Sequence, residues 1–372
     1  MVWFCIFATA IWFGLAFFWH RFWQVDQRLP LSPATQASYP SVTIIVPARN
    51  EGQIIAATMT SLLGQIYDGK FSIVVTNDAS TDNTGDILKN LQSSEQAPEN
   101  KLSIVNGTDL PHGWAGKMWA LQQAIERAEN TSRHDGSDYY WLTDADIIHR
   151  PGVLASLVAH AQTNRLALVS QMVRLRCQTF WEKLLVPAFI FYFTLIYPFR
   201  AINNPSSSIA GAAGGSILIR RDALEAIGGI AVLKDAVIDD CTLGKLVKQS
   251  GRTIWLGFGE RSFSLRGYDH LSEFWQMVQR SAYTQLHFSP VLLSIAVIGI
   301  IVSHVLPLAL LCWPALALMA FIYWPTIRFY GLSPLWALTL PFAAILFAAM
   351  TVSSALAHHL GRSNKWRDRE IG

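Results

Sequence analysis

Asp144-Ala145-Asp146 closes an apolar, aromatic run, Tyr139 to Leu142, that reads as a buried strand. Two carboxylates at i and i+2 project to one side of extended backbone and repel each other unless a cation neutralises them. A hard divalent ion with oxygen ligands is the usual solution, so this spacing predicts a metal at Asp144 and Asp146. The competing reading is a solvated loop with two acids. Two other segments favour the chemical reading. Pro47-Ala48-Arg49-Asn50-Glu51 runs from a strand into a helix, and the unpaired N–H groups of a helix N-terminus attract anions, which suits a nucleotide. Asp78 stands at the end of the next strand, where a carboxylate can accept hydrogen bonds from a base or a ribose. Asp82 reads instead as a turn or cap residue, with Thr81 the other candidate cap.

These residues need a scaffold that brings strand ends together. Strands are predicted over 42–46, 71–75, 102–105 and 139–142, with helices over 52–65, 82–92 and 117–129. The alternation argues for an α/β fold with a mostly parallel sheet and helices on both faces. In such sheets, ligands bind at the carboxyl ends of the strands. The polar stretch 93–101 reads as a surface loop.

The chain has 372 residues, 51% of them hydrophobic and only 15% charged, and the apolar excess lies at the two ends. Residues 2–19 carry no charge and His20-Arg21 follows, so residues 1–24 read as a membrane anchor. A cleaved signal peptide is the alternative, but no basic region precedes the run and no small-residue cleavage site follows it. Trp19, Phe22 and Trp23 suit an interfacial aromatic belt. A second membrane region is expected over 289–358, built from the apolar stretches 291–327, which Pro307 divides, and 333–357, with a polar tail over 359–372. Arg21 and Arg28 place the central domain, 38–285, on the cytoplasmic side of a cell inner membrane. Arg362, Lys365, Arg367 and Arg369 favour that side too, which two C-terminal crossings satisfy and three do not. Leu184 to Phe199 is apolar but short for a span, so an interfacial segment or a buried core helix is expected. A net charge of +3 leaves no broad basic surface for nucleic acid. Cys5, Cys177, Cys241 and Cys312 are far apart, which suggests neither a disulfide framework nor a zinc site and fits a reducing compartment for the central domain.

The ordered set Pro47 to Glu51, Thr76 to Thr84 and Asp144 to Asp146 resembles the family 2 glycosyltransferases, which have the Rossmann-like GT-A fold. The resemblance implies a nucleotide-sugar donor, of the UDP type, and a Mg²⁺ or Mn²⁺ ion on its diphosphate. It implies that Pro47, Arg49, Glu51 and Asp78 line the nucleoside site, and that Asp144 and Asp146 lie at the metal, one of them coordinating directly. Gly116-Lys117 with Ala120-Leu121 matches another family segment, and Lys117 would contact the diphosphate or the sugar. Gly211 to Ser216 resembles the acceptor-side glycine loop, with Gly214 and Gly215 close to substrate.

Asp239-Asp240 resembles the family's Glu-Asp pair, whose aspartate is the catalytic base. That role falls to Asp240, while Asp239 replaces the usual glutamate. Processive members carry QxxRW. Here Arg280 keeps the arginine, but Met277 and Ser281 replace the Gln and the Trp, which argues against a polysaccharide synthase. Arg280 would still neutralise diphosphate charge, on an amphipathic helix over 270–280. Within the family, the segments 113–125, 238–244 and 279–286 look most like the bacterial hopene-associated glycosyltransferases. That likeness implies an association with hopanoid lipid metabolism but defines no acceptor; the expected reaction is inverting transfer to a hydroxyl of a membrane lipid, a hopanoid among the candidates. The rivals are a processive polysaccharide synthase, a nucleotidyltransferase and a non-catalytic nucleotide-binding membrane scaffold.

Overall fold

The computed structural model describes residues 2–30, 39–98, 100–131, 137–361, 365–366 and 369–370. The chain divides into two compact units. One comprises Arg28–Leu175, Ile202–Arg266 and Lys365–Gly372, and the other Met1–Gln27, Arg176–Ala201 and Gly267–Asn364. The first unit is built on an eight-stranded sheet: β1 Val42–Ala48, β2 Phe71–Asn77, β3 Leu102–Asn106, β4 Tyr139–Thr143, β5 Ile147–His149, β6 Leu168–Arg174, β7 Ser216–Arg220 and β8 Ile254–Ser264. Their order is β3-β2-β1-β4-β7-β6-β8-β5. All seven residues of β1 are buried, as expected of a β-branched run covered on both faces.

The half β3-β2-β1-β4 is parallel throughout, joined by helices at Ile55–Leu63, Thr84–Gln92 and Gly116–Thr131. Its strand ends align at one edge: Ala48 pairs with Asn77, and Asn77 with Asn106. The other half departs from the expected mostly parallel sheet. β7 runs antiparallel to both β4 and β6, β5 antiparallel to β8, and only β6 and β8 are parallel. The sheet is therefore mixed. The glycine loop delivers the chain to the edge where β4 ends, with Ser216 opposite Thr143, so β7 must run back against β4.

The other unit is helical. Among the described residues, three helices are long and apolar enough to cross a membrane: Phe180–Ile202, Pro290–Ala309 and Pro334–His359. The helix at Val2–Phe18 is shorter, with 17 residues. The apolar segment 184–199 lies in a helical run of 23 residues, Phe180–Ile202, whose continuous helix Phe180–Ile196 has 17. A capping box starts it early: Thr179 Oγ1 accepts from the Glu182 N–H and Glu182 accepts from the Thr179 N–H. Pro187 is then accommodated inside the helix. The C-terminal break also differs from expectation. Pro307 lies within the run ending at Ala309, and the chain turns at Leu310–Cys312, where Leu311 has φ +50°. Pro290–Ala309 exposes Val291, Ile295 and Ile298.

A disulfide joins Cys5 to Cys312, which corrects the expectation of none. The two lie 307 residues apart, a separation from which sequence spacing reveals no pairing. Cys241 is buried and lies outside that disulfide, its thiol donating to the Ala212 carbonyl at 3.4 Å. Residues 176–201 and 267–285, expected within the central domain, fold with the helical unit. Of the polar tail, Lys365–Trp366 and Arg369–Glu370 pair antiparallel. Arg362 and Arg367 lie outside the described residues, as does Ser38, the expected start of the central domain.

Candidate active site

The parallel strand ends carry the polar chemistry of the first unit. β1 opens into a loop in which Asn50 has φ +52°, and its side chain accepts the Thr81 N–H at 2.8 Å. Arg49 Nη1 donates to the carbonyls of Asp78 at 2.6 Å and Ala79 at 3.1 Å, and lies 3.9 Å from the Asp78 carboxylate. Asp78 is fully buried. Gly107 is the residue that permits this, since a Cβ there would stand 2.9 Å from Asp78 Cα. Sequence reading missed it, for nothing before the fold shows β3's end passing under Asp78. Asp82 is a turn residue, accepting the Gly52 N–H at 2.9 Å and the Thr84 N–H at 3.0 Å. Burial opposes its ionisation, but bonds from the Thr84 hydroxyl and those N–H groups hold its carboxyl below the usual range.

Asp144-Ala145-Asp146 is a turn rather than extended backbone, closed by the Ile147 N–H on the Asp144 carbonyl at 3.3 Å. The two carboxylates have different partners in this turn. Asp144 lies 3.1 Å from Lys117 Nζ, whereas Asp146 accepts from Arg266 Nε at 2.6 Å. Arg266 Nη2 also donates to Glu51 at 3.0 Å, so one guanidinium holds the acids following β1 and β4. Arg266 belongs to no motif, and only the pairing of β5 with β8 brings it here.

Lys117 opens the helix Gly116–Thr131, and its ammonium sits between Asp144 and Asp239, 3.2 Å from the latter. Burial works against its charge, but Asp144, Asp239 and Asp240 outweigh that and push its pKa up. Loss of water around Asp144 raises its carboxyl, with Asp146 and Asp239 adding repulsion and Lys117 opposing. Asp239 and Asp240 begin the helix Asp239–Gln249. Asp240 accepts the Cys241 N–H and the Gly214 N–H, both at 2.7 Å. Burial and the charge of Asp239 push the Asp240 carboxyl up to about 6, against Lys117 and those two bonds.

Pro47, Lys117, Asp144, Gly214, Asp239 and Asp240 thus line one narrow pocket of about 20 Å³. That is room for little more than a water. Gly214 is small by need: a Cβ would lie 3.3 Å from Asp240 and 3.4 Å from Lys117. Gly215 instead packs on Val173 and offers its carbonyl to the Thr143 hydroxyl at 3.0 Å. Arg280 belongs to the helical unit, at the end of the helix Leu271–Gln279, and is not among the residues of this pocket. Among the described residues, no three His, Cys, Asp or Glu side chains converge as a metal-ligand set. The pocket's donors are nevertheless carboxylate oxygens, and an ammonium already sits between two of them, so they fit a hard cation completed by phosphate oxygens.

Comparison with known proteins agrees with this architecture. The sequence profile described as Glycosyl transferase family 2 matches residues 43–228, from β1 past β7. The chain is 25% identical over 243 residues to "Probable glycosyltransferase YdaM" of Bacillus subtilis, covering 64% of this chain and 52% of that protein. It is 23% identical over 266 residues to "Beta-monoglucosyldiacylglycerol synthase" of Nostoc sp., covering 66% and 53%. The chain therefore spans about half the length of these relatives. Among solved structures, mannosyltransferase PcManGT from Pyrobaculum calidifontis, in complex with GDP-Man and Mn²⁺, superposes with a TM-score of 0.57 at 20% identity over 96% of this chain and 99% of that one. That likeness is one of fold. With half of the chain matched by the family profile, from β1 past β7, this protein belongs to glycosyl transferase family 2.

Proposed function

We propose that this protein transfers a sugar from a nucleotide-sugar, of the UDP type, to a hydroxyl of a membrane lipid, with inversion at the anomeric carbon. One observation carries the proposal: Asp144 and Asp240, nearly a hundred residues apart in sequence, face one pocket and share the Lys117 ammonium as neighbour. The reaction needs these two functions on opposite sides of one sugar. Asp240, its carboxylate steadied by two N–H groups, takes the acceptor hydroxyl's proton as the new bond forms. Lys117 lies where positive charge steadies a departing diphosphate. Pro47, Arg49, Glu51 and Asp78 form the nucleoside side, with Gly214, Gly215 and Asp239 on the acceptor side.

Asp144 and Asp146 would hold a Mg²⁺ or Mn²⁺ ion together with the donor's phosphates, and such an ion, when bound, neutralises the leaving charge. Arg266 orients Asp146 for that role. Arg280 is proposed, on its motif alone, to add charge at the diphosphate.

A lipid acceptor is supported by the three helices apolar enough to span a bilayer and by the name of the Nostoc relative, a diacylglycerol glycoside synthase. The hopanoid class rests on the likeness of segments 113–125 and 238–244. An inner-membrane location with the sheet unit in the cytoplasm rests on Arg21 and Arg28. Purified protein is incubated with a panel of UDP- and GDP-sugars and a bacterial lipid extract, and products are read by mass spectrometry. A glycosylated lipid that forms with Mn²⁺ and vanishes in chelator supports the proposal. Free nucleoside diphosphate without a lipid product, or full activity in excess chelator, removes the acceptor or the metal from it.

A further inference from the structure

His149 ends β5, three residues beyond Asp146, and takes no part in the chemistry above. It is 1% exposed and makes two side-chain hydrogen bonds, Nε2 with Thr143 Oγ1 and Nδ1 with Ser262 Oγ, each 2.8 Å. Both neighbours continue outward. Thr143 Oγ1 reaches the Gly215 carbonyl at 3.0 Å, and Ser262 Oγ lies 3.1 Å from the Gln171 side-chain amide. Every side chain in the chain Gln171, Ser262, His149, Thr143 is nearly or fully buried.

A hydroxyl has one proton, so the chain must run in one direction. In one arrangement Thr143 donates to His149 Nε2, Nδ1–H donates to Ser262, and Ser262 donates to Gln171 Oε1. That leaves the Gly215 carbonyl without the Thr143 proton and the buried Gln171 Nε2 without a partner. In the other, the Gln171 amide is turned so that its N–H donates to Ser262, Ser262 donates to Nδ1, Nε2–H donates to Thr143, and Thr143 donates to Gly215. Every contact is then a hydrogen bond, and the Gln171 amide nitrogen, unpartnered in the first arrangement, donates to Ser262. Burial pushes the imidazole down to about 3, so a single ring proton is available for the choice.

We propose that His149 is a positioning residue for glycosyl transfer: its Nε2–H holds the Thr143 hydroxyl onto the Gly215 carbonyl, locking the strand end before Asp144 to the loop whose Gly214 amide holds Asp240. Trp141, its ring tilted against the imidazole with centroids 4.5 Å apart and bonded through Nε1 to Ser216 at 2.9 Å, braces the same two strands. The proposal rests on Asp144 and Asp240 being two sides of one transfer site. The distance between them is what this chain fixes, and a misplacement of about 1 Å can cost about a hundredfold in rate.

Two measurements test it. Full-length protein labelled with ¹⁵N-histidine is examined in detergent by long-range ¹H–¹⁵N correlation, with His149 assigned by the signal lost in His149→Gln. A neutral Nε2–H ring, unchanged between about pH 5 and pH 8, is expected. An Nδ1–H ring, or an imidazolium, overturns the proposal whether or not an acceptor has been found. Second, Thr143→Val keeps the shape and removes the hydroxyl, and Thr143→Ser restores it. With the nucleotide-sugar that the wild type turns over, kcat is expected to fall about tenfold or more in Thr143→Val at unchanged donor KM, and to return in Thr143→Ser. Equal kcat in wild type and Thr143→Val overturns the proposal while leaving the transfer reaction standing. Absence of transfer by the wild type with every sugar overturns the reaction on which this proposal rests, whereas the ring tautomer tests the hydrogen-bond chain by itself.

Discussion

The Gly214 amide donates to one oxygen of Asp240 across 2.7 Å, and the Cys241 amide holds the other oxygen at the same distance. The carboxylate proposed to accept the hydroxyl's proton is thus held by backbone on both sides. It lines the pocket together with Asp144. A base held this way loses no orientation when substrate arrives, which is how fixed geometry contributes to rate.

Replacing Asp240 by Asn keeps the side chain's size and removes its basicity. Transfer is expected to fall about 10²–10⁴-fold, the usual share of general-base catalysis. UDP binding in the presence of Mn²⁺, measured by calorimetry, is expected to change little, because Asp240 lies on the acceptor side. Normal turnover by this variant would reassign the base.

The raised Asp240 carboxyl has a consequence for pH dependence. The reactive form is the ionised one, so kcat should be high above about pH 6 and decline as pH falls through that value. Because the charge of Asp239 contributes to the rise, Asp239→Asn should move this acidic limb to lower pH. A limb that stays in place in Asp239→Asn would mean that another group controls it.

The parallel half of the sheet was legible in the sequence because each of its strands is a compact apolar run followed by a helical one. The observed β1 to β4 extend the predicted strands by no more than two residues at their carboxyl ends. The acids at those ends were found for the same reason. The antiparallel half was not legible. β5 has three residues, too few for any periodicity, and β8 has eleven with Gly257 and Gly259 inside it. Arg266 and His149 depend on that half, so neither could be seen. The turn at Ala145 was missed because i, i+2 reasoning presumes that the strand continues, and β4 stops at Thr143. The Cys5–Cys312 disulfide was hidden because pairing across 307 residues depends on helix packing, which apolar runs do not encode.

Lys117 occupies the place between Asp144 and Asp239, so removing its charge leaves two carboxylates facing each other. Lys117→Met is expected to melt several degrees below wild type in chelator and to recover much of the difference on adding Mn²⁺, a cation that can take over the neutralisation. The measurement is thermal unfolding with and without Mn²⁺. A variant that melts with the wild type in chelator would show that the ammonium compensates nothing.

Arg266→Gln separates Glu51 from Asp146 and leaves both acids, 7% and 8% exposed, without their common guanidinium. If Asp146 serves the metal, losing the group that orients it should weaken Mn²⁺ binding about 10–100-fold, the usual effect of removing an outer-shell partner. Titration of Mn²⁺ with saturating UDP reads this directly. Unchanged affinity would leave Asp144 as the acid that matters.

Gly214 and Gly244 should respond differently to the same added methyl group. At Gly244 a Cβ would meet the Gly211 backbone at 2.8 Å, so the helix carrying Asp239 and Asp240 must shift from the glycine loop. Gly244→Ala is therefore expected to destabilise the fold by about 1–3 kcal/mol, as overpacking does. At Gly214 the nearest atoms are side-chain ends, Asp240 Oδ2 at 3.3 Å and Lys117 Nζ at 3.4 Å. Those can give way by a few tenths of an ångström, so the fold survives, but the pair that yields is the one proposed to carry out the transfer. Gly214→Ala should melt close to wild type with kcat reduced, whereas Gly244→Ala should melt lower. If Gly214→Ala keeps full kcat, the close fit of the glycine loop against Asp240 contributes packing alone, and the base needs no such support.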